Sequence, residues 1–310
     1  MAPTTIDLEA IKEVTWSITT TYTVSQMISY NLALGASGTA LDLVYEGHPN
    51  FHALPTYGAV HGIAIMGLIH RAMFDFLPNF KGHNHVHGEH YLEAKRLFRI
   101  PQGADEVKLK TTAKVVDIVD RKTAVLVHVD IETMEEQSGE VVCLNEWVGF
   151  VLRTPPEGSN KKQLQRGART TLYPTPNRAP DKTTSHRTSP EQAALYRAAS
   201  GDLNPLHIDP ETAKAAGFPA PILTGTCTLG IGVRHVVDAF ADGDAKIFKS
   251  VKCRLSQPLH ASLSEEVRTE MWKEGSRVLF RMVVDGDSGV WKVVISQGCV
   301  ELKVDDGARL

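Results

Sequence analysis

Ala59-Val60-His61-Gly62-Ile63-Ala64-Ile65-Met66-Gly67-Leu68-Ile69-His70-Arg71-Ala72-Met73-Phe74-Asp75-Phe76 reads as one long apolar helix with glycines inside it. Behind it come strand-like runs at His87–Phe98, Glu106–Val116, Lys122–Glu135 and Glu140–Leu152. In the third run Val125, Val127, Val129 and Ile131 alternate with Leu126, His128 and Asp130, the pattern of a half-buried strand. In front of the helix stand a shorter helix, Ser25–Leu34, and the segment Leu54-Pro55-Thr56-Tyr57-Gly58.

The same plan returns later in the chain. Ser189-Pro190-Glu191-Gln192 opens a helix, with Ser as N-cap, Pro at the first helical position and Gln at the third. A loop with Gly201 and Pro205 follows, then an apolar stretch, Pro221–Phe240, whose Gly225, Gly230 and Gly232 imply close packing. Strand-like runs at Phe248–Leu255, Glu265–Trp272, Val278–Val284 and Val290–Val304 complete it. A long helix and then an antiparallel sheet, twice over, predicts an α+β fold with each sheet wrapped around its helix. Two half-sheets joined edge to edge would lose two exposed edges. From Thr154 to Pro190 six prolines interrupt the chain among many Lys, Arg, Ser and Thr, the composition of a loop or extended linker. The expected division is 1–153, a linker at 154–188, and 189–310.

Composition narrows the function. The 310 residues are 42% hydrophobic and 22% charged, with net charge −3. There is no basic excess for a nucleic-acid surface and no apolar run long enough to cross a membrane. The cysteines, Cys143, Cys227, Cys253 and Cys299, are far apart and form no CxxC pair, so reduced and mostly buried thiols are expected and structural zinc is not. The segment from Met1 to Val14 lacks the apolar core of a secretory signal. The chain stops at Ala308-Arg309-Leu310, a variant of the Ser-Lys-Leu peroxisomal address that an import receptor reads.

The chemistry concentrates in Tyr196-Arg197-Ala198-Ala199-Ser200-Gly201-Asp202-Leu203-Asn204-Pro205-Leu206-His207. A helix ends near Ser200, and Gly201 permits a left-handed cap. Asp202, Asn204 and His207 then share one turn stiffened by Pro205. A carboxylate, an amide and an imidazole held together can bind and polarise a water; the same residues also suit a helix cap followed by an Asx-turn. Downstream, Thr224-Gly225-Thr226 places a glycine at the start of the apolar helix. Free N–H groups there carry partial positive charge and can stabilise an enolate oxygen.

Gly201-Asp202-Leu203-Asn204-Pro205-Leu206-His207-Ile208-Asp209-Pro210 resembles the signature of (R)-specific 2-enoyl-CoA hydratases, the hydratase 2 group among the MaoC-like dehydratases. The likeness extends to Ala216-Gly217-Phe218, Pro221-Ile222-Leu223 and Glu270-Met271-Trp272-Lys273-Glu274-Gly275. In the first half it covers Leu32–Ser37, Val44-Tyr45-Glu46-Gly47, Leu54-Pro55-Thr56 and His87-Gly88-Glu89. The chain is similar to the hydratase 2 unit of peroxisomal multifunctional enzyme type 2. The resemblance implies a double hot-dog fold whose first repeat has lost catalytic residues and makes room for the acyl chain, and a homodimer acting on acyl-CoA. It implies Asp202 and His207 as the catalytic pair, Asn204 as an orienting residue and Gly225 as the oxyanion donor, with no metal or redox cofactor. Tyr30, Glu46, Tyr196 and Arg197 match supporting positions, Glu46 and Arg197 as a cross-domain ion pair. Thr224 departs from the His common in the family, which leaves open a dehydratase of a specialised acyl thioester.

Three other readings compete. His83, His85 and His87 would share a face on a strand and, with Glu89 or His90, hold Zn²⁺ or Fe²⁺; histidines at a strand entrance need no metal. Hot dogs also serve as non-catalytic acyl-binding modules and as thioesterases.

Overall fold

The helix-then-sheet order is present twice in the computed structural model, which describes residues 3–122, 124–260, 263–285 and 291–304. The first half runs α1 (Leu8–Lys12), β1 (Trp16–Tyr22), α2 (Val24–Ala33), α3 (Leu41–Val44), α4 (Val60–Phe76), β2 (His85–Ala94), β3 (Val107–Asp120), β4 (Ala124–Glu135) and β5 (Val141–Leu152). The second runs β6 (Lys182–Arg187), α5 (Pro190–Ser200), α6 (Pro210–Ala215), α7 (Gly225–Phe240), β7 (Phe248–Leu255), β8 (Glu266–Glu274), β9 (Arg277–Val284) and β10 (Lys292–Leu302).

All strands join one ten-stranded sheet in the order β1-β3-β4-β5-β2-β7-β10-β9-β8-β6. Each half contributes five neighbours. Numbered within its own half and read from the outer edge inward, each follows the same order: first, third, fourth, fifth, second. The halves meet where β2 pairs antiparallel with β7, Glu89–Glu93 against Ser250–Arg254. This is the predicted edge-to-edge union, and it buries the inner edge of each half-sheet.

Burial explains the two long helices. In α4 the buried positions Val60, His61, Gly62, Ile65, Met66, Ile69, Met73 and Phe76 repeat with helical period, leaving Ala64, Arg71 and Asp75 outside. The covered face meets Val115, Val127, Val129 and Ile131 of the sheet. Pro78 ends the helix by holding Leu77 extended. In α7 nearly every residue from Thr226 to Val237 is buried, because the second half-sheet lies on one side and the first half on the other. A Cβ on Gly230 would come within 2.7 Å of Leu34 Cδ1, so that glycine lets the end of α2 approach.

The two outer edges escape the sequence pattern. β1 alternates correctly but is short and rich in threonine, Trp-Ser-Ile-Thr-Thr-Thr-Tyr. β6, Lys-Thr-Thr-Ser-His-Arg, lies inside the segment read as a linker and pairs with β8. An exposed edge strand needs no apolar face, and charged side chains there discourage pairing with other chains, so periodicity cannot reveal it. The earlier part of that segment is laid over the first half-sheet, and from Tyr173 to Asp181 it lies against the second, on Trp272, Lys273 and Leu279. Arg166 Nη1 donates to Glu146 at 2.8 Å, Arg169 Nη1 to Asp130 at 2.7 Å and Asn160 Nδ2 to Asp117 at 2.7 Å. All four cysteines are buried and unpaired, as expected.

One ion pair spans the seam. Lys252 Nζ of β7 lies 2.7 Å from Glu89 Oε2 of β2, the two side chains only 6% and 13% exposed. Removing one partner strands the other charge, so Lys252→Met should lower unfolding free energy by about 3 kcal/mol. Adding Glu89→Leu should restore most of it. Denaturant midpoints for the single and double variants check this; a harmless single substitution would show that the pair does not hold the seam.

Candidate active site

The loop after α5 is set by its cap. Gly201 has φ 66° and ψ 15°, left-handed, and turns the chain out of the helix. Two backbone bonds then fix Asp202: its N–H donates to Ser200 Oγ at 3.2 Å, and its carbonyl accepts from Arg197 Nη1 at 2.7 Å. Asp202 Oδ1 accepts from the Asn204 N–H at 3.0 Å, an Asx-turn. Asn204 Oδ1 in turn caps a short 3₁₀ turn, Pro205–His207, through the Leu206 N–H at 3.1 Å. The turn and the cluster therefore coexist, since the Asx-turn uses only one carboxylate oxygen.

The other oxygen faces the imidazole. Asp202 Oδ2 lies 3.7 Å from His207 Nε2, with the side chains 13% and 18% exposed. Asn204 Nδ2 is 3.5 Å from the same nitrogen. The far side of the ring fixes its tautomer: His207 Nδ1 is 2.8 Å from the Ile222 carbonyl, which can only accept, so Nδ1 carries the proton. In the neutral ring Nε2 is then a lone pair turned toward Asp202. Carboxylate oxygen, amide and imidazole nitrogen point into one space, at separations that one water can bridge.

The start of α7 forms the adjoining wall. Gly225 is its first residue, so its N–H has no acceptor within the helix. A Cβ there would meet Leu255 Cδ1 at 2.5 Å. Thr224 precedes it and makes no cap; its hydroxyl donates instead to Asp202 Oδ2 at 3.4 Å. Thr226 is held from below by the Tyr196 hydroxyl at 2.7 Å. Tyr30 packs across the join against Tyr196, ring centroids 5.8 Å apart. Burial pushes both phenols well above their usual range, so they stay neutral donors.

The first half repeats this scaffold without its polar groups. Tyr30 donates to Thr56 at 2.8 Å as Tyr196 does to Thr226. Both helices begin with a capping box, Thr23 with Gln26 and Ser189 with Gln192. Each tyrosine is followed five residues later by a left-handed glycine, Gly35 or Gly201. Counting on from those glycines, Ala36, Gly38 and Leu41 stand where the second half has Asp202, Asn204 and His207. Counting back from the threonines, Pro55 stands at the place of Gly225, and proline has no N–H to offer.

The structure brings Asp202, Asn204, His207, Thr224 and Gly225 together, with Tyr196, Arg197 and Tyr30 behind them. Glu46 does not join. It is exposed and forms no ion pair among the described residues, while Arg197 is occupied by the Asp202 carbonyl. The expected Glu46–Arg197 pair is therefore absent: α5 directs Arg197 into its own C-terminal loop. The roles of Thr226, Ser200 and the Ile222 carbonyl do not follow from the sequence, since Tyr30 and Thr56 are 26 residues apart and Tyr196 and Thr226 are 30 apart.

The histidine run also differs from its strand reading. His83 lies in a 3₁₀ turn, Gly82–Asn84, and a bulge between His87 and Glu89 breaks the alternation. His85 Nδ1 turns to His70 at 3.0 Å, and His87 stacks on Trp147 at 3.5 Å between centroids. Among the described residues no three His, Cys, Asp or Glu side chains gather as a metal site. The terminal tripeptide Ala308-Arg309-Leu310 lies outside the described residues.

Comparison with known proteins identifies the family. Residues 20–153 match the MFE-2 hydratase 2 N-terminal domain and residues 171–293 the MaoC like domain. The chain is 38% identical over 283 residues to peroxisomal multifunctional enzyme type 2 of Drosophila melanogaster, covering 90% of this chain and 45% of that protein. It therefore spans less than half of that relative's length. It is 35% identical over 277 residues to a probable enoyl-CoA hydratase 2 of Dictyostelium discoideum, covering 87% of each. The crystal structure of a MaoC-like dehydratase from Phytophthora capsici superposes with a TM-score of 0.83 at 28% identity, covering 98% of this chain and 100% of that one. With two hot-dog repeats sharing one sheet and both domain matches in order, the chain belongs to the hydratase 2 family of MaoC-like double hot-dog proteins.

Proposed function

We propose that the chain hydrates trans-2-enoyl-CoA thioesters reversibly to (3R)-3-hydroxyacyl-CoA, at one site in its second half. The observation that carries this reading is the convergence of Asp202 Oδ2, His207 Nε2 and the start of α7 on one space. The thioester oxygen rests on the Gly225 N–H, whose helix-end position favours the negative charge that grows there. Asp202 and His207 hold one water. Its oxygen attacks C3, its proton passes to the pair, and a proton is returned to C2, so that H and OH are added and nothing is lost. Every group used belongs to the chain.

The first half has no counterpart to Asp202, Asn204, His207 or the Gly225 N–H, and serves as the side that receives the acyl chain. On this reading 1–153 is the non-catalytic repeat, 154–188 carries the strap and β6, and the rest is catalytic. A dehydratase of specialised acyl thioesters uses the same machinery in reverse, and Thr224 bonded to Asp202 is the feature that favours it. The Asp202–His207 set tells against a pure binding module, for which the pair is superfluous.

The Drosophila relative bears a peroxisomal name. Together with Ala308-Arg309-Leu310 this supports a peroxisomal address read by the import receptor, and the family resemblance supports a homodimer. A fluorescent fusion ahead of the full chain should enter peroxisomes and should stay in the cytosol once the tripeptide is deleted. Unchanged import after deletion would refute the address. Light scattering should give twice the chain mass.

The reaction is tested by absorbance. Purified protein should consume the conjugated enoyl signal of crotonyl-CoA or trans-2-decenoyl-CoA and give (3R) product. Asp202→Asn and His207→Ala should each lower kcat by about 10²–10⁴. A folded wild type that turns over neither substrate would overturn the hydration reading. Release of free CoA from saturated acyl-CoA would replace it with a thioesterase.

A further inference from the structure

Among the buried polar side-chain atoms of the first half that have no partner among the described residues, two sit on adjacent rings: the Tyr57 hydroxyl and His61 Nε2. The residues are 0% and 4% exposed. Their rings lie 5.0 Å apart at the start of α4. Tyr30 at 5.0 Å and Phe98 at 5.1 Å close in on Tyr57. Neighbouring phenols are satisfied, Tyr22 by the Arg99 carbonyl at 2.7 Å and Tyr30 by Thr56 at 2.8 Å. Burial drives the His61 imidazole down to about 3, so it is neutral, with one ring nitrogen donating and the other accepting. Phenylalanine and leucine would fill this space with no polar atom to desolvate. An unmatched buried polar group costs stability, so two side by side in an otherwise apolar cluster call for a partner from outside the chain.

Their place in the fold indicates which partner. Rings lead from the catalytic wall to this pair without a break: Thr226 is bonded to Tyr196, Tyr196 packs on Tyr30 at 5.8 Å, and Tyr30 packs on Tyr57 at 5.0 Å. The pair therefore lies beyond the thioester end of the site, in the half assigned to the acyl chain. It is covered by Phe98 on the loop 95–106, a ring that is only partly buried.

We infer that Tyr57 and His61 form a recognition point for a neutral oxygen substituent, a hydroxyl or a carbonyl, carried partway along the acyl chain. This rests on the hydratase reading, since it assumes an acyl thioester at Gly225. The preferred substrates are then oxygenated enoyl thioesters, and the reaction that supplies them is a hydroxylation or ketone-forming step elsewhere on the chain. Two neutral partners in a desolvated setting accept a neutral oxygen and reject a carboxylate.

Calorimetric binding of saturated thioesters tests this without turnover. Octanoyl-, decanoyl- and dodecanoyl-CoA are compared with their ω-hydroxy and ω-carboxy derivatives, which place the group at three depths. At one length the hydroxy ligand should bind about three- to tenfold tighter than its plain counterpart, the range of one net hydrogen bond, and the carboxy ligand should bind weakest. Tyr57→Phe should abolish that ratio and, by deleting an unpartnered buried hydroxyl, raise the thermal midpoint of the free protein. Plain chains binding tightest at all three lengths would overturn the inference. So would a Tyr57→Phe protein that keeps the ratio or melts earlier. Hydration of crotonyl-CoA, too short to reach Tyr57, reads the underlying reaction separately: turnover with no hydroxyl preference defeats this inference alone, and no turnover defeats the reading beneath it.

Discussion

β2 and β7 exchange backbone hydrogen bonds across Glu89–Glu93 and Ser250–Arg254, and every feature of the site depends on that pairing. It makes one sheet from two repeats related by strand order, so their helices lie face to face inside it. α2 then packs on α5, which sets Tyr30 against Tyr196, and Tyr196 fixes Thr226 beside the start of α7. The wall of the proposed site thus rests on a side chain from the other repeat. A seam that slipped by one residue would turn Glu89 and Lys252 to opposite faces and separate those tyrosines.

Within that frame the second half gains chemistry by a few local choices. Gly201 allows the left-handed turn that ends α5, the Asx-turn occupies one oxygen of Asp202, and the Ile222 carbonyl fixes which nitrogen of His207 is free. Each bond removes one freedom from a reacting group before substrate arrives, which is how orientation lowers a barrier. The first half keeps the tyrosine, the threonine and the left-handed glycine but carries Ala36, Gly38, Leu41 and Pro55 in the key places. What the repeats share supports the fold; what they do not share is the set of groups proposed for the reaction.

Much of this was legible in the chain. The long helices, the capping box at Ser189, the glycine cap at Gly201 and Gly225 at a helix start follow from local propensity and short-range bonds, which sequence records directly. β6 was hidden because an exposed edge strand needs no apolar alternation. The Glu46–Arg197 pair failed because the partner of a long side chain depends on where α5 points it, and a carbonyl five residues away in its own loop was nearer. The histidine run misled because a bulge at Gly88 and a 3₁₀ turn broke the register that alternation presumes. The unpartnered atoms of Tyr57 and His61 are invisible in sequence, since they are defined by what the whole fold fails to place beside them.

The most direct measurement is a crystal structure of the Asp202→Asn protein with trans-2-decenoyl-CoA bound. The account predicts one thioester per chain. Its carbonyl oxygen should lie within hydrogen-bonding distance of the Gly225 nitrogen, its C3 should face His207, and its acyl chain should run past Tyr30 into the first half. A thioester seated instead near Pro55 and Ala36, or with its carbonyl turned away from α7, would contradict it.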